Sequence, residues 1–131
     1  MIQQETILQV GDNSGAKTVK CIKILGGYKK KYAKIGDIIV ISIQELRNKS
    51  KSTSKVKKGE IYKALIIRTK KEVKKKDGTL LSINKKTKNA NSAVLINKKG
   101  NPVATRLLEP IPYMLKKKLY LKFINLSPGL I

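Results

Sequence analysis

Over the first two-thirds of the chain, apolar residues recur at every second position, which is the period of a β-strand. Ile39, Ile41 and Ile43 alternate with Ile38, Val40, Ser42 and Gln44. Both faces of this run begin apolar, so it predicts a strand that is central or that closes a small barrel. Residues 61–69 repeat the theme, with Leu65 and Ile67 on one face and Ala64 and Ile66 on the other. A third run, 19–25, is interrupted by Lys20 and Lys23. Residues 7–10 open the set, and 80–83 and 93–96 are shorter members. Turn-forming clusters separate the runs: Asp12-Asn13-Ser14-Gly15, Gly26-Gly27, Gly36-Asp37, Lys58-Gly59, Asp77-Gly78 and Lys99-Gly100-Asn101-Pro102. Asp-Gly between two strand-like runs is a strong hairpin signal. Short strands at this spacing predict a mainly β chain, an antiparallel barrel or a sandwich.

The last quarter changes period. Pro110 and Pro112 bracket a connection, after which Leu115, Leu119 and Phe123 recur at i, i+4. That spacing predicts a short amphipathic helix over residues 113–125, ended ahead of Pro128. Two polar segments, 48–54 and 84–91, carry no apolar anchor and predict surface loops. With no internal repeat, the length predicts one domain over 1–131, with a barrel over about 1–105 and a helical segment over about 106–131.

Charge changes the picture from fold to function. Thirty lysines and arginines face eight acidic residues, a net charge of +22, and there is no histidine. Such a surplus repels itself on compaction and becomes favourable beside a polyanion. Nucleic acid rewards it most, because each neutralised phosphate releases counterions. All but Arg47, Arg68 and Arg106 of these cations are lysines. Lysine is a mobile point charge, which favours phosphate attraction over reading of base edges; an AT-rich coding sequence would enrich lysine as well. The chain is 40% hydrophobic, too much for a disordered basic tail.

Other classes find little support. No apolar stretch reaches bilayer length, so no membrane partner is expected. Residues 1–5 resemble neither a secretory signal nor an organelle presequence. The lone Cys21 permits no internal disulfide and reads as a core residue. Without histidine the usual general base is missing, and the acids form no paired-carboxylate or metal-ligand spacing. Neither an enzyme nor a cofactor nor a metal site is expected. Residues 11–18 nearly spell a phosphate-binding loop, but Ala16 stands where glycine should precede the lysine, and a strand follows where a helix should open. A tight turn between strands is the better reading.

The candidate RNA-binding residues are lysines with interleaved aromatics. Tyr28, Lys29, Lys30, Lys31, Tyr32 and Lys34 lie between two strands, where lysine neutralises phosphate and a tyrosine ring stacks on a base or packs on sugar. Lys70, Lys71 and Lys74 lead into Asp77-Gly78, placing a basic ribbon arm beyond the barrel. Lys57 and Lys58 add to that field. Asn13, Ser14, Lys17, Lys20 and Lys23, in and after the first turn, complete the set.

The order of motifs resembles the universal large-subunit ribosomal protein numbered fourteen. The resemblance runs end to end: MIQQETILQV at the start, DNSGAK at 12–17, CIKILGG at 21–27, YAKIGDII at 32–39, KVKKGEIYKALIIRTKK at 55–71, DGT at 77–79, AVLIN at 93–97, ATR at 104–106 and LSP at 126–128. Ile83 stands where that family usually has Phe or Tyr, and residues 84–90 and the loop at 48–54 are longer than in bacterial forms. The resemblance implies a small five-stranded antiparallel β-barrel with a ribbon arm and short C-terminal helices. It implies a structural constituent of the large ribosomal subunit that binds large-subunit rRNA, contributes to an intersubunit bridge with small-subunit rRNA, and touches neighbouring ribosomal proteins. It also implies that Thr105, Arg106 and Lys122 face the other subunit or a partner, including a ribosome-silencing factor. The departures and the AT-rich composition point to a mitochondrial ribosome and an organelle-encoded gene, with the bacterial cytoplasm as the alternative. A freestanding nucleic-acid module, such as a translation factor, is the alternative function.

Overall fold

The computed structural model describes residues 1–47, 53–81, 91–116 and 120–131. Five strands close into a barrel in the order β1 (Ile7–Val10), β2 (Ala16–Ile24), β3 (Ile38–Leu46), β4 (Ile61–Arg68) and β7 (Ser92–Ile96). Between β4 and β7 a separate two-stranded ribbon, β5 (Val73–Lys74) with β6 (Leu80–Leu81), pairs Val73 with Leu81 and Lys74 with Leu80. The expected barrel and basic arm are therefore present. One feature departs from an all-antiparallel barrel: four seams are antiparallel, but β1 and β7 pair parallel, Gln9 with Ser92 and Val10 with Ala93. Parity is the reason. When neighbours alternate in direction, five strands bring the first and last together pointing the same way.

Alternation decides what fills the barrel. Leu8, Val10, Val19, Cys21, Ile39, Ile41, Ile43, Ala64, Ile66, Ala93 and Leu95 point inward and form one core cluster, as a barrel this narrow requires. The complementary face of β4 and β7 is also apolar. Leu65, Ile67, Val94 and Ile96 point outward and make a second cluster with Leu107, Ile111, Leu115 and Phe123. That is why residues 61–69 are apolar on both faces: one face fills the barrel and the other lies under the C-terminal segment. The lysines interrupting the third run have a related cause. Register shifts along the β2–β3 pairing rephase β2, so Cys21 and Ile24 both point inward while Ile22 and Lys23 are exposed.

The single helix expected over 113–125 is instead two pieces, a 3-10 turn at Tyr113–Leu115 and α1 at Leu121–Leu126. Lys116 closes the first with ψ 70°, outside the helical region. Short isolated helices are marginal, so packing decides the geometry. Leu115 and Phe123, one on each piece, are both buried against the barrel. Lys117, Lys118 and Leu119 lie outside the described residues, as do 48–52 of the first expected loop, 84–90 of the second, and Ser82 and Ile83 of the expected strand.

The C-terminal segment grips the β2–β3 connection at Gly36. Its φ is +91°, and a Cβ there would fall 2.7 Å from Leu115 Cδ2, so glycine is needed for conformation and for space. The Tyr120 hydroxyl donates to the Gly36 carbonyl at 2.9 Å.

Candidate nucleic-acid interface

Residues 25–37 link β2 to β3 and carry the aromatic-lysine run. Three contacts hold this connection. Ile2, fully buried, pairs with the buried Ala33 through reciprocal backbone bonds of 2.9 and 2.8 Å. The Lys34 amide donates to Asp37 Oδ2 at 2.8 Å. The same oxygen receives the Lys30 ammonium at 2.8 Å. Tying Lys30 inward leaves Lys29, Lys31 and Lys34 exposed, with Tyr28 and Tyr32 beside them.

The Ile2–Ala33 pairing brings distant segments together. Gln3 and Gln4 line one shallow concavity with Lys29, Lys30, Lys31 and Tyr32. Met1 and Lys34 line the next with Lys71 and Lys74 of the arm. Lys71 Nζ lies 3.7 Å from the Met1 sulfur. At the arm's root, the Lys70 amide donates to Asn91 Oδ1 at 2.8 Å. At its tip, Asp77 Oδ1 accepts from the Thr79 hydroxyl and amide, which hold its carboxyl below the usual carboxylate range. Loop, N-terminal segment and arm thus present one lysine-rich surface. Met1, Gln3 and Gln4 are absent from any charge-based choice of residues; only the long-range strand bridge puts them there.

A second basic groove runs over the outer face of β1, β2 and β3. Lys17, Lys20, Arg47 and Lys58 line it with Gln9, Thr18 and Gln44. Lys17 pairs with Glu45 at 3.1 Å, and Lys20 with Glu5. Arg47, missed in the sequence, is fixed by its guanidinium donating to the Val10 carbonyl at 3.0 Å. Lys23 and Lys57 are exposed, and the Lys57 amide donates to Glu60 Oε2 at 2.9 Å.

The turn at 11–15 does structural work. Asp12 is fully buried and accepts from the amides of Ser14, at 2.9 Å, and Leu95, at 3.0 Å. Ser14 is itself buried. Asn13 spends its side chain internally: Nδ2 donates to Thr105 Oγ1 at 2.8 Å, and Oδ1 accepts from the amides of Thr105 and Arg106 at 3.1 and 3.2 Å. A strand, β2, follows, so the turn does not open a helix that could cradle a nucleotide phosphate.

Thr105 and Arg106 are exposed on this stapled connection. The next residue, Leu107, donates its amide to the Leu126 carbonyl at the end of α1. Lys122, on α1, donates to Asn101 Oδ1 at 2.7 Å. The three residues thus sit on one structural unit made of residues 101–107 and α1, separate from the loop-and-arm contacts above.

The acidic residues are committed locally. Besides the pairs above, Glu60 accepts from the Tyr62 hydroxyl and Glu109 pairs with Arg68 at 3.0 Å. The surplus positive field is therefore left to the exposed lysines. Among the described residues no cluster of three metal-ligating side chains occurs, and no helix is long and apolar enough to cross a membrane. A family model described as ribosomal protein L14p/L23e matches residues 1–131, the whole chain.

Proposed function

The chain belongs to the ribosomal protein L14p/L23e family and is thus a structural constituent of the large ribosomal subunit, associated there with rRNA and other ribosomal proteins; from that premise we propose that its loop-and-arm surface is the principal rRNA contact. Lys29, Lys31, Lys34, Lys70, Lys71 and Lys74 neutralise phosphates there, while the groove of Lys17, Lys20 and Lys58 takes further backbone. The observation that carries this reading is the convergence of Lys34, Lys71 and Lys74 on one concavity, from segments far apart in sequence. Lys23, Lys30 and Lys57 add to the field. Asn13 holds the first turn through its bonds to Thr105 and Arg106, and Ser14 lies buried within that turn, so both would act on RNA through the turn's shape. The role is binding and scaffolding, with no catalytic step.

Thr105, Arg106 and Lys122 form the face toward the small subunit, contributing to an intersubunit bridge and open to a ribosome-silencing factor. The Asn13 staple supports this assignment, because it presents Thr105 and Arg106 outward on a fixed backbone. The ribosome in question is mitochondrial; the long segments at 48–54 and 84–91 and the lysine-rich composition favour that over a bacterial one.

The test replaces Lys31, Lys34, Lys71 and Lys74 with glutamine and follows retention on large subunits. The unsubstituted chain should stay bound through a wash at about 0.5 M monovalent salt and the variant should be released, because fewer released counterions mean weaker binding. Loss of the unsubstituted chain in that wash, or full retention of the variant, overturns the proposal.

A further inference from the structure

Five tyrosines occur in the chain, and four have visible structural employment or a mixed environment. The hydroxyls of Tyr62 and Tyr120 are bonded to Glu60 and Gly36. Tyr32 and Tyr113 are 45% and 57% exposed, against 90% for Tyr28. Tyr28 follows the Gly26-Gly27 pair and precedes Lys29, whose φ of +49° is uncommon for a residue with a side chain. Lys29 Nζ sits 5.4 Å from the Tyr28 ring centroid, within cation–π range.

We propose that Tyr28 is a stacking platform for an unpaired nucleobase, flanked by phosphates held by Lys29 and Lys31. This rests on the rRNA-binding reading above and deepens it, because it distinguishes looped or single-stranded RNA from duplex as the ligand of this loop. A base in a continuous duplex has both faces covered by its neighbours, so an aromatic ring can stack only on one that is splayed out. The surroundings favour RNA over a protein partner. Lys29 lies against the ring, Lys30, Lys31 and Lys34 follow it within six residues of the chain, and lysine is depleted from the buried centres of protein–protein interfaces. The ammonium against the ring polarises it and leaves the remaining ring surface to solvent or to a base.

The experiment uses the full chain at one fixed salt concentration and two probes of equal phosphate number: an RNA hairpin with an adenine-rich loop, and a blunt RNA duplex. Tyr28→Ala should weaken hairpin binding by roughly 5- to 150-fold, the range for loss of one stacked base. Duplex binding should change less than about twofold, and Tyr28→Phe should restore hairpin binding. Because the chain has no tryptophan, Tyr28→Trp supplies a single indole, excited selectively beyond the absorption of the four remaining tyrosines, whose emission the hairpin should quench and the duplex should not. Lys29→Gln should weaken both probes and flatten the salt dependence by about one unit of slope. Unchanged hairpin binding by Tyr28→Ala, or equal loss on both probes, overturns the stacking site while leaving the RNA reading intact. If Tyr28→Ala binds both probes normally but releases a ribosomal protein neighbour, a protein occupies this loop and the proposal fails. An unsubstituted chain that binds neither probe sinks the underlying reading.

Discussion

Asn13 separates two roles that its position alone would confound. Its amide makes three hydrogen bonds to Thr105 and Arg106 across a sequence gap of about ninety residues. A typical protein hydrogen bond contributes about 0.5–1.5 kcal/mol net. Three such bonds at half-buried or exposed positions, where water replaces part of what is lost, bring the expected cost of Asn13→Ala to about 1–2 kcal/mol. Thr105→Val removes only the hydroxyl acceptor and should cost about 0.5–1 kcal/mol. The two changes share one bond, so a double-mutant cycle should give a coupling of about 0.5–1 kcal/mol. Urea unfolding at high salt, where the positive field is screened, measures each value; the same variants are then tested for RNA affinity. The staple predicts lower stability with RNA affinity changed by no more than about twofold, because Oδ1 and one Nδ2 hydrogen are bonded within the chain and only a single neutral N–H remains for phosphate. Stability within about 0.3 kcal/mol of the parent, together with a tenfold loss of RNA affinity, would refute the staple and make Asn13 a direct RNA ligand.

Three further outcomes follow from the packing and the titrating groups. Phe123→Ala should cost about 3–5 kcal/mol by opening the second cluster, and limited proteolysis should cut the C-terminal segment before the barrel. Burial pushes the Cys21 thiol above its ordinary range, with Glu5 adding to the effect, so a thiol-alkylating reagent at pH 8 should label it only after unfolding. The sign for stability also follows: the unfolded thiol releases its proton near pH 9 while the folded one keeps it, so this contribution is lost as pH rises past that point. At the arm tip the Asp77 carboxyl is held low by Thr79, so its contribution is present above the ordinary carboxylate range and lost as pH falls through the lowered value. The Asp77 carboxyl, followed by NMR titration, should then have its midpoint below the ordinary carboxylate range, and Thr79→Val, which loses the hydroxyl donor but keeps the amide donor, should move that midpoint only part of the way back.

Strand positions, the alternation of faces within a regular strand and the polyanion partner are local properties, and the chain states them directly; which β2 residues face inward was decided by its shifted pairing with β3. A two-residue period places side chains on alternate faces whatever the tertiary context, and a charge of +22 needs no fold to imply a polyanion. Glycine-containing turns marked the breaks, and Asp77-Gly78 located the arm. What could not be read there depends on contacts between segments far apart. The break in the C-terminal helix follows from where Leu115 and Phe123 find the barrel, which an i, i+4 pattern does not encode. The Ile2–Ala33 bridge gathers loop, N-terminal segment and arm into one surface, and nothing in either residue marks the pairing. Asn13 and Ser14, polar residues in a glycine-rich turn, look like ligands in one dimension; folding spends the amide of Asn13 on Thr105 and Arg106 and buries Ser14. Periodicity and charge are additive along the chain, whereas the partner of a polar side chain is settled only when the closed barrel brings remote backbone within hydrogen-bond reach.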